Sequence, residues 1–282
     1  MRIGNLGGRA ALISEAGAID VHHASGGRFG PTLGGCYDAW ADFVVWAAGC
    51  GAVPVAYDSA SLGSPSPTPR QCYGIGMNYA SHAAEMGGSP PEFPPTFTKF
   101  PSCLTGPFAT VELQGDTIDY EVELVVVIGL HAHRVVAQDA WAHVAGLTVG
   151  QDLSDRTVQL RPPVPQFSLG KSFVGYGPMG PWLVSIDEFA NPDDLALDCA
   201  INGETMQASR TSDLIFSVPQ LIEKLSHITP LLPGDVIFTG TPSGVGAGRK
   251  PPRWLTINDE LVSTIEGIGS ITTRFTRSGD LS

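Results

Sequence analysis

The sequence predicts an α+β protein that is predominantly β, with short helices and a small N-terminal α+β domain. Three observations support this fold class. The 282 residues include 34 Gly and 23 Pro, which favour many turns and short strands over long helices. Apolar residues make up 43% of the chain and charged residues only 16%, as in a protein with a well-buried core. The stretch 119–129 is rich in β-branched residues and is typical of a buried or half-buried strand.

The charge and the apolar pattern limit the class of partner. A formal net charge of −12 argues against nucleic acid, because phosphate binding requires clustered Lys and Arg. No run of about 18 apolar residues occurs, and the first residues lack the apolar core of a signal peptide. Five scattered cysteines without Cys-x-x-Cys pairs suit a reducing compartment. We therefore expect a cytoplasmic protein that acts on a small molecule, with no nucleic-acid or membrane partner.

Residues 1–66 are predicted to form the small N-terminal domain, and residues 67–282 the larger domain that carries the chemistry. The segments 9–13 and 18–21 can pair as a hairpin, and 37–47 has the apolar stripe of a helix. A Pro-rich, uncharged stretch at 63–69 has the composition of a linker and marks the boundary.

Glu121 and Glu123 stand two residues apart in the strand predicted at 119–129, so their side chains point to the same face. Adjacent carboxylates repel each other and are costly to desolvate, and a hard cation such as Mg²⁺ or Mn²⁺ removes both costs. The alternative is a solvated strand end. Because Glu-x-Glu pairs are common, this stretch alone favours the alternative.

His82 and Glu85 lie in a predicted short helix, 78–87, that ends at a glycine. Residues three apart share a helix face, and a histidine held by a carboxylate is suited to act as a general base. The spacing alone favours the alternative, an ordinary exposed pair on a helix surface. The Gly-x-Gly at 74–76 does not fit the dinucleotide fingerprint, which requires a third glycine and an acidic residue further along.

Asp152, Arg156 and Gln159 follow a strand predicted at 145–150 and stand at i, i+4 and i+7, one face of a helical turn. A carboxylate, a guanidinium and an amide on one face are suited to a ligand. The alternative is an Asp152 N-cap with a helical salt bridge to Arg156.

Lys171 and Thr241 complete the candidate residues. Lys171 sits between a glycine and an aromatic residue, and a lysine there can supply a fixed positive charge to an oxyanion. A surface lysine at a strand end fits as well. Thr241 lies in the Gly-rich loop 240–246, whose backbone N–H groups suit a carboxylate or phosphate. The loop is not a P-loop, since no Gly-Lys-Ser/Thr follows it.

Taken in order, these motifs resemble the fumarylacetoacetate hydrolase superfamily, in particular its acylpyruvase-like and 2-hydroxyhepta-2,4-diene-1,7-dioate isomerase-like enzymes. The resemblance covers roughly residues 70 to 276. It rests on Gly-Ile-Gly-x-Asn-Tyr with its following His and Glu, Glu-x-Glu, Asp-x-x-x-Arg-x-x-Gln, Gly-Lys-Ser-Phe, and Gly-Thr-Pro-Ser-Gly-Val-Gly.

The resemblance implies a roll of mixed β-sheets, usually a homodimer, with a metal-dependent active site. It assigns the ligands of Mg²⁺ or Mn²⁺, with Ca²⁺ as a further candidate, to Glu121, Glu123 and Asp152. It assigns water activation to His82 and Glu85, and oxyanion stabilisation to Lys171. It assigns the substrate contacts to Arg156, Gln159 and Thr241.

The leading expectation is a divalent-metal-dependent hydrolase that cleaves a C–C bond of an acylpyruvate-type 2,4-dioxo acid. An isomerase or decarboxylase that works through an enolate is the alternative, because the same ion serves all three reactions. A non-catalytic metal-stabilised binding protein is a further alternative. Gln151, where the family usually has Asn, and Val174, where Asp is common, are expected to avoid the ligands but to reshape the substrate pocket.

Overall fold

Strands outnumber helices in this computed structural model, which describes residues 1–277. In chain order the strands are β1 (Arg2–Leu6), β2 (Arg9–Ser14), β3 (Gly17–Asp20), β4 (Leu62–Gly63), β5 (Cys72–Ile75), β6 (Thr96–Thr98), β7 (Leu104–Thr105), β8 (Thr110–Glu112), β9 (Ile118–Asp119), β10 (Val122–Ile128), β11 (Val144–Gln151), β12 (Ser154–Asp155), β13 (Gly177–Val184), β14 (Ala196–Ile201), β15 (Glu204–Arg210), β16 (Val236–Phe238), β17 (Glu260–Ile265) and β18 (Gly269–Thr276).

The helices are short, as the glycine and proline content predicts. They are α1 (Val21–Ala24), α2 (Leu33–Tyr37), α3 (Trp40–Ala48), α4 (Ala80–Glu85), α5 (Arg156–Gln159), α6 (Phe167–Gly170) and α7 (Val218–Ser226). Single 3₁₀ turns or short 3₁₀ helices occupy Ser59–Ser61, Pro101–Cys103, Ala137–His143, Ile186–Glu188, Thr211–Asp213 and Gly246–Gly248. Among the described residues, no helix has both the length and the apolar character that crossing a membrane requires.

Two mixed sheets form the body of the structure, which confirms the predicted fold class. The larger sheet has the order β3-β2-β1-β13-β11-β10-β16-β5-β6, with β4 paired to β1 and β7 paired to β13. The second has the order β15-β14-β17-β18-β8. Most neighbours are antiparallel, but three pairs are parallel: β5 with β16, β7 with β13, and β8 with β18. Strands β9 and β12 form a separate two-stranded antiparallel sheet, which connects the segment before β10 to the segment after β11.

Strand β10 lies at the centre of the larger sheet and is buried along its whole length. One face, with Leu124 and Val126, packs into the core that the second sheet and α7 also line. The other face, with Val125 and Val127, packs against Phe43 of α3. Burial of both faces explains why this strand is a continuous apolar run rather than an alternating pattern.

The N-terminal residues extend the larger sheet. Strands β1 to β3 continue it beyond β13, and α3 covers one of its faces. The predicted hairpin at 9–13 and 18–21 corresponds to β2 and β3, and the predicted helix at 37–47 begins three residues later, at Trp40. The division into domains at residues 66 and 67 stays a prediction, and residues on both sides of it share one sheet and one core.

Candidate active site

Three carboxylates meet where β10 and β11 lie side by side. Glu121 precedes β10, Glu123 belongs to it, and Asp152 follows β11. The antiparallel register pairs Val122 with Gln151, so the start of β10 lies beside the end of β11. Oxygen atoms of the three carboxylates lie within 4.8 Å of one another, and all three side chains are buried. The spacing along one strand and the register of the next therefore bring together the predicted ligand set.

Six buried charged side chains around this point form an ion-pair cluster. Its members are Asp119, Glu121, Asp152, Lys99, Arg156 and Lys171. Lys171 Nζ lies 2.6 Å from Glu121 Oε2 and 2.7 Å from Asp152 Oδ2. Lys99 Nζ lies 2.6 Å from Asp152 Oδ1. Burial would raise the pKa of Glu121, but the charges of Lys171 and Arg156 hold that pKa well below its usual range. Since three carboxylates face three cations, the cluster is neutral.

Arg156 joins the cluster through Glu121 and Asp119. Its Nη2 lies 2.6 Å from Glu121 Oε1, and its Nε donates to Asp119 Oδ2 at 2.9 Å. Asp119 also accepts hydrogen bonds from the backbone N–H groups of Gly246, at 2.6 Å, and Ala247, at 3.0 Å. Asp119 therefore ties the guanidinium to the Gly-rich loop that follows β16.

Glu123 stands outside the ion-pair cluster. Its Oε2 accepts a hydrogen bond from Gly240 N–H at 2.7 Å, and within residues 1–277 no cation forms an ion pair with it. Burial, and then the charges of Asp152 and Glu121, raise the pKa of Glu123 well above its usual value. The carboxylates thus exceed the cations by one. A divalent cation held by Glu121, Glu123 and Asp152 would relieve this repulsion, so an oxygen-liganded Mg²⁺ or Mn²⁺ fits the residues present.

Helix α4 presents His82 and Glu85 at the same site. His82 Nδ1 lies 3.2 Å from Glu85 Oε2, and Glu85 Oε1 accepts from Gly244 N–H at 2.9 Å. Burial raises the pKa of Glu85, but the hydrogen bonds from His82 and Gly244 outweigh it and leave that pKa below its usual value. With Nδ1 engaged by the carboxylate, Nε2 is the ring nitrogen left for proton transfer. The predicted pair is formed.

A cavity of about 460 Å³ connects these groups. The ionisable residues in its wall are His82, Glu121, Glu123, Arg156 and Lys171, and the wall also includes Gln159 and Thr241. Asp152 and Glu85 do not line the cavity, but each contacts a residue that does: Asp152 contacts Lys171, and Glu85 contacts His82. Seven of the nine predicted site residues therefore line this cavity, and the other two each contact a residue that does.

The prediction that Asp152, Arg156 and Gln159 share one face of a helix is wrong. Asp152 lies between β11 and β12, and the cap of α5 is Asp155, whose side chain accepts from Val158 N–H. The carboxylate of Asp152 contacts the two lysines of the ion-pair cluster instead of Arg156. Arg156 Nη1 does donate to Gln159 Oε1, at 2.8 Å. The reason is the short strand β12, whose pairing with β9 interrupts the turn that the spacing suggests.

Gln151 and Val174, the two departures from the family pattern, do not lie at the cavity as expected. Gln151 is fully buried, accepts a hydrogen bond from Glu121 N–H at 2.9 Å and donates to Ser263 Oγ at 2.8 Å. It therefore contacts the backbone of a ligand candidate and does not line the cavity. Val174 is 81% exposed and also lies outside the cavity wall. Neither residue is positioned to reshape the pocket directly.

The sequence does not predict two members of the ion-pair cluster, Lys99 and Asp119. Lys99 is a lone lysine before Phe100 and Pro101, and nothing in its neighbourhood signals that it will be buried. Asp119 belongs to the stretch singled out as the central strand, but its side chain points to the loop after β16. A carboxylate two residues before Glu121 is the only local signal for it.

The family model for the fumarylacetoacetate (FAA) hydrolase C-terminal domain matches residues 71–276. The chain belongs to the fumarylacetoacetate hydrolase family. The matched residues include β5 to β18 and every residue of the ion-pair cluster. The candidate site therefore lies within the domain that the family model describes.

Three individual proteins show the range of this family. The mitochondrial oxaloacetate tautomerase FAHD2A of Bos taurus is 43% identical over 210 residues, which cover 74% of this chain and 67% of the relative. The crystal structure of an HpcE-like protein from Mycobacterium smegmatis is 51% identical and covers 99% of this chain and 100% of that one, with a TM-score of 0.96. A fumarylpyruvate hydrolase from Pseudomonas aeruginosa, solved with Mn²⁺ and pyruvate, is 33% identical over 74% of this chain and 91% of its own, with a TM-score of 0.68.

Proposed function

We propose that this family enzyme is a divalent-metal-dependent tautomerase, or isomerase, of 2-oxo acids that carry a second carbonyl group at C4. The observation that carries the proposal is the convergence of Glu121, Glu123 and Asp152, with one carboxylate in excess of the nearby cations, on a cavity that also exposes His82. Oxaloacetate is such a 2-oxo acid, and the 43% identity to an oxaloacetate tautomerase supports the assignment.

The metal would be Mg²⁺ or Mn²⁺, held by Glu121, Glu123 and Asp152. When bound, such an ion polarises the 2-oxo carbonyl and stabilises the enolate. The Mn²⁺ in the fumarylpyruvate hydrolase supports this choice of ion class.

His82 is the residue suited to move the proton. In the ketone-to-enol direction, Nε2 takes a proton from C3 and the C3–H electron pair forms the C2=C3 bond. The π pair of the C2=O bond moves onto the oxygen, which then receives the proton. Glu85 keeps the imidazole in place through Nδ1, at 3.2 Å, and is itself fixed by Gly244 N–H. Lys171 places a positive charge beside the carboxylate cluster, where negative charge develops on the substrate oxygen.

C–C hydrolysis of an acylpyruvate is the second candidate. The His82–Glu85 pair favours it, because a base held in this way is also suited to activate water for attack on the C4 carbonyl. The likeness to a fumarylpyruvate hydrolase gives further support. Both candidates use the same residues up to the enolate, so the products distinguish them and the fold does not.

One experiment separates the candidates. Protein stripped with EDTA and reloaded with Mn²⁺ or Mg²⁺ is supplied with a panel of 2,4-dioxo acids and oxaloacetate. Enol absorbance, C3–H exchange in D₂O by NMR, and product chromatography are recorded together. Accelerated enol–keto exchange without cleavage supports the tautomerase. Release of pyruvate and a carboxylic acid supports the hydrolase, and release of CO₂ supports a decarboxylase.

Variants test the assigned roles. His82→Gln is expected to slow both exchange and cleavage by at least about 100-fold, the usual contribution of a positioned acid–base group. The matched control is His227→Gln, which changes an exposed histidine that bonds only to a backbone carbonyl. Mn²⁺ affinity that survives both Glu121→Gln and Glu123→Gln would contradict the metal site. Tight metal binding with no turnover of any acid would indicate a binding protein instead.

A further inference from the structure

Asp119 is a fully buried carboxylate that does not line the cavity. Its Oδ2 lies 2.9 Å from Arg156 Nε and 2.8 Å from Arg156 Nη2, and it accepts from Ala247 N–H at 3.0 Å. Its Oδ1 accepts from the backbone N–H groups of Gly246, at 2.6 Å, and Tyr120, at 2.8 Å. All of these partners are N–H groups, and only a carboxylate can accept from all of them at once.

The chain that Asp119 holds, residues 240–248, is called here the Gly-rich segment, and it also supports Glu85. Glu85 Oε1 accepts from Gly244 N–H at 2.9 Å. A methyl group added at Gly248 would overlap the same carboxylate, so this glycine also lies against it. The two residues bonded to Asp119 stand between Gly244 and Gly248 in the chain. Because Glu85 in turn contacts His82 Nδ1 at 3.2 Å, the proton-transfer pair rests on the Gly-rich segment.

Tyr120 holds the Gly-rich segment at a second point. Its hydroxyl donates to the carbonyl oxygen of Gly244 at 3.1 Å, and the N–H of the same glycine binds Glu85. Arg249 Nε lies 3.1 Å from the Tyr120 hydroxyl oxygen and 3.3 Å from the Gly244 carbonyl oxygen. Two consecutive side chains, placed directly before the first metal-ligand candidate, therefore fix the segment that fixes Glu85.

We propose that Asp119 is a positioning residue for the His82–Glu85 pair and acts on it through the Gly-rich segment, with Tyr120 as the second anchor. The proposal rests on the proposed function, to which it adds a residue outside the cavity. Asp119 takes no part in proton transfer itself. It keeps the Glu85 carboxylate where that group holds the imidazole of His82 towards the cavity.

Asp119→Asn tests this link with a side chain of the same size. The amide nitrogen cannot accept, so in either orientation one side of the group meets N–H donors without an acceptor. We expect kcat for C3–H exchange in the Mg²⁺-loaded enzyme to fall about tenfold, since a misplacement of about 1 Å costs up to about 100-fold. Asp235→Asn is the matched control and should leave kcat within about twofold. Asp235 is equally buried and accepts from the N–H groups of Gln71 and Leu232, but it precedes β16, whereas the Gly-rich segment follows that strand.

A double-mutant cycle distinguishes action through Glu85 from an independent effect on the site. In Glu85→Ala the link is already removed, so the addition of Asp119→Asn should lower kcat by less than about twofold further. A further loss of about tenfold, equal to that in the wild-type background, would overturn the proposal, because it would show that Asp119 acts independently of Glu85.

The imidazole ¹⁵N signals of His82 report the same link without any turnover. They are recorded in EDTA by long-range ¹H–¹⁵N correlation and are assigned by their loss in His82→Gln. Asp119→Asn should move the Nδ1 signal in the direction in which Glu85→Ala moves it, and Asp235→Asn should leave it in place. An unchanged Nδ1 signal in folded Asp119→Asn would overturn the proposal.

Tyr120→Phe carries the test if Asp119→Asn does not fold. It removes only the hydroxyl that holds Gly244, and it should move the His82 Nδ1 signal in the same direction and lower kcat about threefold, the effect of one hydrogen bond. Tyr37→Phe is its control, because it removes a buried hydroxyl that donates to the Pro65 carbonyl oxygen in the N-terminal region. If the signal stays in place in Tyr120→Phe as it does in the control, the proposal is overturned.

The failures of the two proposals are distinguishable. If the wild-type enzyme turns over no 2-oxo acid, the proposed function fails, and the His82 signals still decide whether Asp119 positions the pair. If 2-oxo acids are turned over and the losses in the double-mutant cycle simply multiply, the proposed function stands and the role of Asp119 is overturned.

Discussion

Lys99 and Asp152 form a fully buried ion pair in which neither side chain is exposed to solvent. Lys99 Nζ lies 2.6 Å from Asp152 Oδ1 and also donates to the backbone carbonyl oxygens of Lys171 and Tyr176. One ammonium group thus fixes a candidate metal ligand and the backbone of the cavity lysine. Although burial by itself lowers the pKa of Lys99, the charge of Asp152 outweighs it and keeps the lysine protonated.

Lys99→Met should therefore destabilise the protein strongly. Asp152 keeps its pair with Lys171, but the buried cluster is left with one more carboxylate than it has cations, and the loss of one partner of a buried pair typically costs about 3–5 kcal/mol. Urea unfolding in EDTA measures the change. Lys224→Met is the control, since Lys224 is partly exposed and contacts the rings of Phe93 and Phe216 rather than a carboxylate. A loss no larger than that of the control would show that the pair contributes little.

Substitutions of Glu121 and of Glu123 should change the stability of the metal-free protein in opposite directions. Glu121→Gln takes a partner from Lys171 and Arg156 and should lower the free energy of unfolding in EDTA by about 3–5 kcal/mol. Glu123→Gln removes a carboxylate that pairs with no cation in the described part of the chain, and it should raise this free energy by about 1 kcal/mol. Both variants should lose Mn²⁺ affinity. Equal destabilisation in EDTA would contradict the charge balance described for the site.

The stability of the metal-free protein should carry a pH signature of Glu123. Its pKa in the folded state is raised above the usual 4.5, first by burial and then by Asp152 and Glu121. The folded protein therefore holds a proton that the unfolded chain releases. The resulting stability is present below about pH 4.5 and is lost as the pH rises through the folded pKa. In EDTA, the free energy of unfolding of Glu123→Gln should exceed that of the wild type by a difference that grows from pH 4 to pH 8. A constant difference would contradict the raised pKa.

Gln151 and Val174, the two departures from the family pattern, should behave unequally when each is changed to the family's usual residue. Gln151→Asn shortens a buried side chain that bridges Glu121 N–H and Ser263 Oγ, so one bond is lost at a cost of about 1–3 kcal/mol. Val174→Asp alters an exposed side chain and should change stability by less than about 0.5 kcal/mol. Thermal unfolding of both variants, with the wild type beside them, measures the contrast. Similar shifts in both would show that Gln151 does not bridge.

Gly248→Ala should lower activity with little loss of stability. A methyl group there would lie 2.4 Å from Glu85 Cδ, so the Glu85 carboxylate must move and release His82. The displaced group is the end of a flexible side chain, and we expect kcat/KM to fall about tenfold while unfolding changes by less than about 1 kcal/mol. Gly51→Ala is the control, because nothing lies within 4 Å of the added methyl. Unchanged activity in both variants would remove Glu85 from the proton-transfer pair.

Local sequence patterns were sufficient to predict the features that depend only on residues close together in the chain. The β-branched stretch predicts β10, and its two-residue alternation places Glu121 and Glu123 together. The three-residue spacing of His82 and Glu85 likewise predicts their contact in α4. These features depend on one strand and one helix, each with a fixed period. The choice between a metal site and a solvated strand end needed the resemblance to a family, because it depends on a third carboxylate 29 residues further along the chain.

The sequence by itself determined the fold class, the central strand and the candidate residues of the site. Only the tertiary structure decided which charges pair. Asp152 pairs with Lys99 and Lys171, Arg156 pairs with Glu121 and Asp119, and no cation within residues 1–277 forms an ion pair with Glu123. Ion pairs between distant segments depend on strand register and on burial, and neither leaves a periodic signal in the chain. The unpaired charge of Glu123, which a metal would balance, is therefore a property of the folded site.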